Sequence, residues 1–246
     1  DYPSPTAYEG KVYIKDVTDK ETKESAKIKA EIGYGKPDST TKKCPDPSTD
    51  PGWRWTLDVN LMGVYRVTKG FAPLIIESRG RIVNISSIAG VLSGRFWAPY
   101  NITKHALEAY TDDLADEMAL FDVKVSAVNP GNYKSEIGIK QAAALAEKPY
   151  AQPGSPYAEH IARDIEYMSD RSMYKEPDDV TAAVAHALFD EAPKPNYLVV
   201  PNEKEARWTI GKLIEETAEL NAGHEYTYSD EELIRMLREA TAAQRR

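Results

Sequence analysis

The stretch RIVNISSIAGVLSGRFWAPYNITK, residues 81–104, joins a short apolar run to the start of a helical pattern. The run that follows Gly80 is too short for a helix, and it is apolar enough for a strand that is buried on both faces. A second such run, VKVSAVNP at 123–130, follows a long helix predicted from about Pro99 to Leu120. This alternation of strands with helices favours a parallel sheet.

The same rhythm continues on both sides of this stretch. A third apolar run, NYLVVP at 196–201, follows a predicted helix over 177–190 whose first turn is expected to hold Pro177. Upstream, Thr56 is expected to cap a helix that reaches about Ile76. The predicted fold class is therefore α/β, a parallel sheet with helices on both faces.

The amino-terminal part has a different pattern. Residues 11–18 and 25–34, KVYIKDVT and SAKIKAEIGY, alternate apolar with polar side chains, which predicts antiparallel strands. Residues 35–52 are rich in Pro, Asp, Ser and Gly, and such a segment is a turn-rich link. We therefore predict a β-rich N-terminal segment of unknown role at 1–53, and an α/β region at 54–246.

Composition excludes several classes of function. The 246 residues include 31 basic and 39 acidic side chains, and a net charge of -8 argues against a nucleic-acid partner. No run of about 18 apolar residues is present, so no membrane span is expected. The lone Cys44 and the absence of a Cys/His cluster predict no metal site. A cytoplasmic protein is expected, although a disulfide-free secreted protein also fits, and a chain that begins with Asp1 is expected to be a processed or partial product.

Tyr100 and Lys104 form a spacing that suggests chemistry. Residues at i and i+4 share one face of a helix, so the ammonium of Lys104 is expected near the phenol of Tyr100. A nearby positive charge favours the phenolate and lowers the pKa of a tyrosine from its usual value of about 10. Tyr100 is thus a candidate general acid or base. Ser87, 13 residues earlier, follows a predicted strand at the end where open α/β sheets bind ligands.

Together these residues resemble the short-chain dehydrogenase/reductase family. The Tyr-x-x-x-Lys pair stands in YNITK, Ser87 stands in NISS, and Asn60 in DVNLMG lies 27 residues before Ser87. After the next strand, VNPGNYKS is similar to the family's Pro-Gly turn with a following hydroxyl residue, here Ser135. The resemblance covers about residues 54–246 and implies a Rossmann-like sheet.

The resemblance also implies an activity, in which a hydride passes between NAD or NADP and a small-molecule carbonyl or alcohol substrate. Tyr100 would exchange a proton with the substrate oxygen, which Ser87 would orient. Lys104 would lower the pKa of the tyrosine and hold the ribose hydroxyls of the nicotinamide. Asn60 would hold a water that passes protons to solvent.

Further family features concern the cofactor and assembly. Pro130 and Gly131 would let the backbone approach the nicotinamide, and Ser135 would hydrogen-bond its carboxamide. The predicted helices at 60–76 and 99–120 resemble the family's dimer-forming helices, so a homo-oligomer is expected. The second of these helices has apolar residues that suit such a contact: Ile102, Leu107, Leu114 and Met118. The segment from about Ile139 to Lys175 is expected to form a lid over the substrate.

The chain departs from the family in its first part. The family's Gly-rich cofactor turn has no match, because GYGKPDST at 33–40 offers two glycines and then a proline. Only 59 residues precede Asn60, so the sheet is expected to be incomplete in its N-terminal half. Two functions therefore stay open. One is a dehydrogenase or reductase, and the other is a truncated or fused dehydrogenase-like protein that binds no cofactor and acts as a binding or interaction module.

Overall fold

The computed structural model describes residues 12–13, 17–18, 25–26, 29–30 and 51–244. The chain divides into two compact units, Asp1–Phe71 and Ala72–Arg246. Most of the predicted turn-rich link, including Cys44, lies outside the described residues. The boundary that the sequence predicts near residue 53 stays a prediction.

The described residues of the first unit include four strands of two residues each. Strand β1 (Val12–Tyr13) pairs with β4 (Lys29–Ala30), and β2 (Val17–Thr18) pairs with β3 (Ser25–Ala26). Both pairings are antiparallel, as the alternating pattern predicts. The β-rich character of residues 1–53 as a whole stays a prediction.

Helical structure begins at residue 51 and continues without a break to residue 78. Helix α1 (Pro51–Leu57) leads into a π-helical segment (Asp58–Met62), and α2 (Gly63–Ser78) follows. The predicted cap at Thr56 is wrong, because this residue lies inside α1. The earlier start has a physical reason, since the fixed φ of a proline suits the first position of a helix.

The second unit is built on a parallel sheet of three strands. Strands β5 (Arg81–Ile85), β6 (Lys124–Pro130) and β7 (Asn196–Val199) lie in the order β5-β6-β7. All three predicted strands are confirmed. Over the described ranges, β5 pairs only with β6 and therefore lies at an edge of the sheet.

Six helices accompany this sheet: α3 (Ala98–Ala119), α4 (Glu136–Ala146), α5 (Ala158–Ser169), α6 (Asp178–Phe189), α7 (Glu203–Asn221) and α8 (Asp230–Ala243). Helix α3 matches the long helix predicted from the sequence to within one residue at each end. Pro177 lies at the N-cap of α6, one position before the first turn in which it was expected.

Two apolar clusters cover the two faces of the sheet, because successive side chains of a strand point to opposite faces. On one face, Ile82 and Val125 pack with Leu114 and Met118 of α3. On the other face, Val128 is fully buried and packs with residues of α6 such as Ala187 and Val184. The predicted arrangement of helices on both faces of a Rossmann-like sheet is confirmed.

A buried hydrogen bond fixes α3 against β5. The Asn84 side-chain amide donates to the Thr111 hydroxyl over 2.9 Å, and that hydroxyl donates to the Leu107 carbonyl over 2.6 Å. Buried polar groups are costly unless they are paired, so this contact favours one register of helix on strand. It places the first turns of α3 beside the carboxyl end of β5.

Candidate active site

Ser87 lies just beyond β5, where it caps a short 3-10 helix, Ile88–Gly90. Its hydroxyl oxygen accepts a hydrogen bond from the Ala89 amide at 3.1 Å and donates a long one to the Pro130 carbonyl at 3.5 Å. The residue is 9% exposed. Its hydroxyl is therefore held between the ends of two neighbouring strands.

Tyr100 and Lys104 lie in the first two turns of α3, at the same end of the sheet. The Lys104 ammonium lies 5.7 Å from the centroid of the Tyr100 ring and donates a hydrogen bond of 2.8 Å to the Ile85 carbonyl. Both side chains are partly buried. The lysine thus bridges the tyrosine and the last residue of β5.

The pKa of Tyr100 differs from the expectation. Burial raises the pKa of this phenol above its ordinary value, and a hydrogen bond with Ser87 lowers it by a smaller amount. The predicted depression by Lys104 is wrong for this structure, because desolvation is the larger effect and the ammonium is directed at a backbone carbonyl. The phenol therefore keeps its proton at neutral pH.

Burial acts on Lys104 in the opposite direction. It lowers the pKa of the ammonium from 10.5 to about 8, while the charge of Glu108 partly raises it. Burial removes water from the ammonium and so disfavours its charged form, whereas the nearby carboxylate, one helical turn away, stabilises that form. Lys104 consequently remains mostly protonated near pH 7 but titrates within an accessible range.

The sequence analysis missed Glu108. One carboxylate oxygen, Oε2, accepts hydrogen bonds from the side-chain amides of Asn129 at 3.3 Å and Asn196 at 3.4 Å. The other oxygen, Oε1, is buried and has no hydrogen-bond partner. A Cβ at Gly90 would come within 2.8 Å of the same side chain. The i, i+4 spacing from Lys104 was the signal that could have identified it.

Pro130 is the last residue of β6, and Gly131 begins the turn that follows it. The Gly131 amide donates to the Val199 carbonyl of β7 at 2.8 Å. A Cβ at Gly131 would collide with the Glu205 carboxylate, so a larger residue there would require that side chain to move. Ser135 follows at the N-cap of α4, and its side chain makes no capping hydrogen bond.

One cavity of about 770 Å³ brings most of these residues together. Its lining includes every sequence-predicted site residue of the second unit: Ser87, Tyr100, Lys104, Pro130, Gly131 and Ser135. Asn60 lies in the π-helical segment of the first unit, and its role stays a prediction. The cavity joins a proton donor, a cation and a hydroxyl within a largely apolar wall, which is typical of a small-molecule site.

The segment between β6 and α6 supplies another wall of the cavity. Its lining residues there include Gln141, Asp164, Tyr167, Met168 and Arg171. A ring contact lies nearby, in which Phe96 packs against Tyr150 and Tyr157 at centroid distances of 6.1 and 5.6 Å. Phe96 has a φ of 69°, an uncommon value for a bulky residue. These two rings therefore hold a strained loop that borders the cavity.

The part of the chain that the structure describes has no group of three or more His, Cys, Asp or Glu side chains arranged to hold a metal ion. Among the helices that the structure describes, none has the length and apolar character needed to cross a membrane.

Comparison with known proteins adds independent information. Residues 39–146 match a family model described as short chain dehydrogenase. The chain is 39% identical over 153 residues to the mitochondrial D-beta-hydroxybutyrate dehydrogenase of Bos taurus, with 57% of this chain and 44% of the relative covered. It is 34% identical over 149 residues to retinol dehydrogenase 16 of Homo sapiens, with 57% and 47% covered.

A solved structure of a short-chain dehydrogenase is also similar to this chain. A short-chain dehydrogenase from Streptomyces avermitilis aligns with a TM-score of 0.54 and 27% identity, covering 70% of this chain and 60% of that one. The chain spans about half the length of the curated relatives that it matches.

Proposed function

Because the chain belongs to the short-chain dehydrogenase/reductase family, we propose that it is an oxidoreductase that moves a hydride between NAD or NADP and a small carbonyl or alcohol substrate. The observation that carries this proposal is the shared cavity, in which Tyr100, Lys104 and Ser87 meet the Pro130–Gly131 turn. A bound nicotinamide would supply or accept the hydride. The other steps depend on the side chains of this chain.

Tyr100 is the proton donor in the direction of carbonyl reduction. Since burial keeps its pKa high, the phenol is protonated at neutral pH and can donate to an oxygen that gains negative charge. The Ser87 hydroxyl lines the same cavity. In this proposal the two hydroxyls hold the substrate oxygen from two sides, so that charge developing on it is stabilised.

Lys104 contributes a positive charge beside the reacting oxygen. Its ammonium is fixed by the Ile85 carbonyl, and its remaining N–H groups are available for hydroxyls such as those of a ribose. With a pKa of about 8 it is mostly charged at neutral pH, so it can stabilise negative charge that develops in the cavity during the reaction.

The residues of the cavity fit the nicotinamide end of the cofactor. Pro130, Gly131 and Ser135 all line the cavity, and the Ser135 hydroxyl is not used for helix capping. A volume of about 770 Å³ falls within the usual range for small-molecule and cofactor sites. The role that the family resemblance gives to Asn60, a water that passes protons to solvent, remains a prediction.

A second function is supported by one specific observation. Within the described part of the sheet, β5 has a single neighbour, and the sequence offers no Gly-rich cofactor turn. A chain that lacks the pyrophosphate site would act as a binding or interaction module with no dehydrogenase activity. This alternative predicts that NADH and NADPH support no turnover.

Turnover measurements can separate the two functions. The purified chain would be mixed with NADH or NADPH up to millimolar concentrations and with a panel of small ketones and aldehydes, while absorbance of the reduced nicotinamide is followed. Oxidation of NADH or NADPH that requires a ketone or aldehyde, and that Tyr100→Phe removes, would support the oxidoreductase. Absence of turnover with every pair, from a chain that circular dichroism shows to be folded, would contradict it and favour the binding module.

We also propose a homo-oligomer. Of the apolar residues that the sequence analysis named in the 99–120 helix, Leu107, Leu114 and Met118 are buried within the protomer, whereas Ile102 is exposed. Helix α2 also exposes Val67, Phe71 and Leu74, and residues at this spacing share one helix face. Light scattering at tens of micromolar is expected to give more than the monomer mass of 27.4 kDa, and a monomer would contradict the proposal.

A further inference from the structure

Glu205 is a buried carboxylate that neither the sequence pattern nor the proposed chemistry uses. It lies in the first turn of α7 and is 4% exposed. Acidic side chains are almost never buried to this degree unless they are paired. Among the described residues, no cationic side chain forms a salt bridge with it, so its partners must be hydrogen-bond donors.

Those donors come from two neighbouring turns. Carboxylate oxygen Oε2 accepts the backbone N–H of Asn132 at 2.7 Å, and Oε1 accepts the side-chain amide of Asn202 at 3.2 Å. Asn202 caps α7 through the Glu205 backbone N–H at 3.0 Å. The positive end of the helix further favours an anion in this first turn.

The same carboxylate explains the glycine in the turn after β6. A Cβ at Gly131 would collide with Glu205 Oε2, and it would lie 3.1 Å from both Pro201 Cδ and Val200 Cγ1. The carboxylate therefore occupies the space beside the Gly131 backbone, while its oxygen holds the next amide. One side chain of α7 thus fixes both the position and the orientation of the turn that lines the cavity.

We propose that Glu205 is a positioning residue, whose hydrogen bond to the Asn132 amide holds the Pro130–Asn132 turn against the cavity so that the turn can meet a nicotinamide. The consequence for the cofactor rests on the proposed function, whereas the hydrogen bond itself does not. Each oxygen of the Glu205 carboxylate accepts one hydrogen bond, from Asn132 and from Asn202. A glutamine amide has a single acceptor oxygen, so Gln at this position is expected to hold the turn less well, and Ala not at all.

Amide hydrogen exchange tests the contact without any cofactor. Exchange of the peptide that contains Asn132 would be followed by mass spectrometry in the wild type, Glu205→Ala and Glu205→Gln. We expect exchange at this amide to rise about tenfold or more in Glu205→Ala and by a smaller factor in Glu205→Gln. The matched control is Glu203→Ala, which removes an exposed acidic residue from the same helical turn and is expected to leave this exchange unchanged.

Unchanged exchange at Asn132 in a folded Glu205→Ala protein would overturn the proposal. If the alanine variant fails to fold, Glu205→Gln decides, and exchange equal to the wild type would again overturn it. Calorimetric titration with NADH and NADPH then tests the consequence, for which we expect weaker binding in Glu205→Ala and no change in Glu203→Ala. Faster exchange with unchanged cofactor binding would make the contact purely structural and overturn the positioning role. A wild type that binds neither cofactor would instead contradict the proposed function, while the exchange result would still decide the contact.

Discussion

The Lys104 ammonium lies 5.7 Å from the centroid of the Tyr100 ring and donates its hydrogen bond to the Ile85 carbonyl rather than to the phenol oxygen. This arrangement leaves the phenol protonated, because burial raises its pKa more than its hydrogen bond with Ser87 lowers it. The pair is therefore set for proton donation, with a positive charge close enough to stabilise the phenolate that results.

Tyr100→Phe is expected to lower kcat for carbonyl reduction by a factor of about 10² to 10⁴, because it removes the proton donor and keeps the ring. Steady-state turnover of the purified variant, compared with that of the wild type, checks this. The control is Tyr110→Phe, which removes a phenol from the same helix at a position packed against the apolar cluster under α3. A Tyr100→Phe variant that kept more than about a tenth of the activity would rule out general acid catalysis by this residue.

The lowered pKa of Lys104 should make the stability of the protein increase with pH in the alkaline range. Its pKa is about 8 in the folded chain and 10.5 when unperturbed, so between these values the unfolded state binds more protons. The free energy of unfolding should therefore increase as the pH rises from about 8 to 10.5, because of the titration of this residue. Urea unfolding across this range should show that gain in the wild type and lack it in Lys104→Met.

Glu108→Gln provides a second measurement of the same titration. Because the Glu108 charge raises the pKa of Lys104, its removal should lower that pKa further and move the gain in stability to lower pH. Carbon-13 NMR of the lysine side chain reports the pKa directly. A Lys104 pKa near 10.5 in the wild type would contradict the burial described for this site.

Leu107→Ala should destabilise the protein by about 2–5 kcal/mol, since it opens a cavity at a side chain that is only 1% exposed. Leu107 lies on α3 one turn before Thr111, whose hydroxyl fixes this helix to β5. The matched control is Leu120→Ala, at a leucine that is 84% exposed, for which a change within about 0.5 kcal/mol is expected. Equal effects of the two substitutions on chemical denaturation would show that α3 is not packed as the structure has it.

Nicotinamide binding by this chain should be weak, with dissociation constants of about 1 mM or more for NADH and NADPH. The sequence has no Gly-rich turn at a helix start to bind the pyrophosphate, and such turns bring backbone N–H groups and a helix dipole to the anion. Isothermal titration calorimetry measures this. Micromolar affinity would contradict the prediction and assign a cofactor site to residues 1–53.

The sequence by itself determined the strands and the spacing of the site. Short apolar runs such as 81–85 and 124–130 have few alternatives to a buried strand, and the i, i+4 spacing of Tyr100 and Lys104 is a property of any helix. The position of Ser87 beyond a strand end also follows from the chain itself. These are local relationships, so they could be predicted before the tertiary structure was known.

Only the tertiary structure decided the groups that act on the site from distant parts of the chain. Glu205 meets the Asn132 amide across 73 residues, and Asn196 meets Glu108 across 88. No sequence period links such pairs, because they are brought together by the packing of helices on the sheet. The direction of the Tyr100 pKa likewise depended on burial, which is set by every element that surrounds the phenol and not by the charge one turn away.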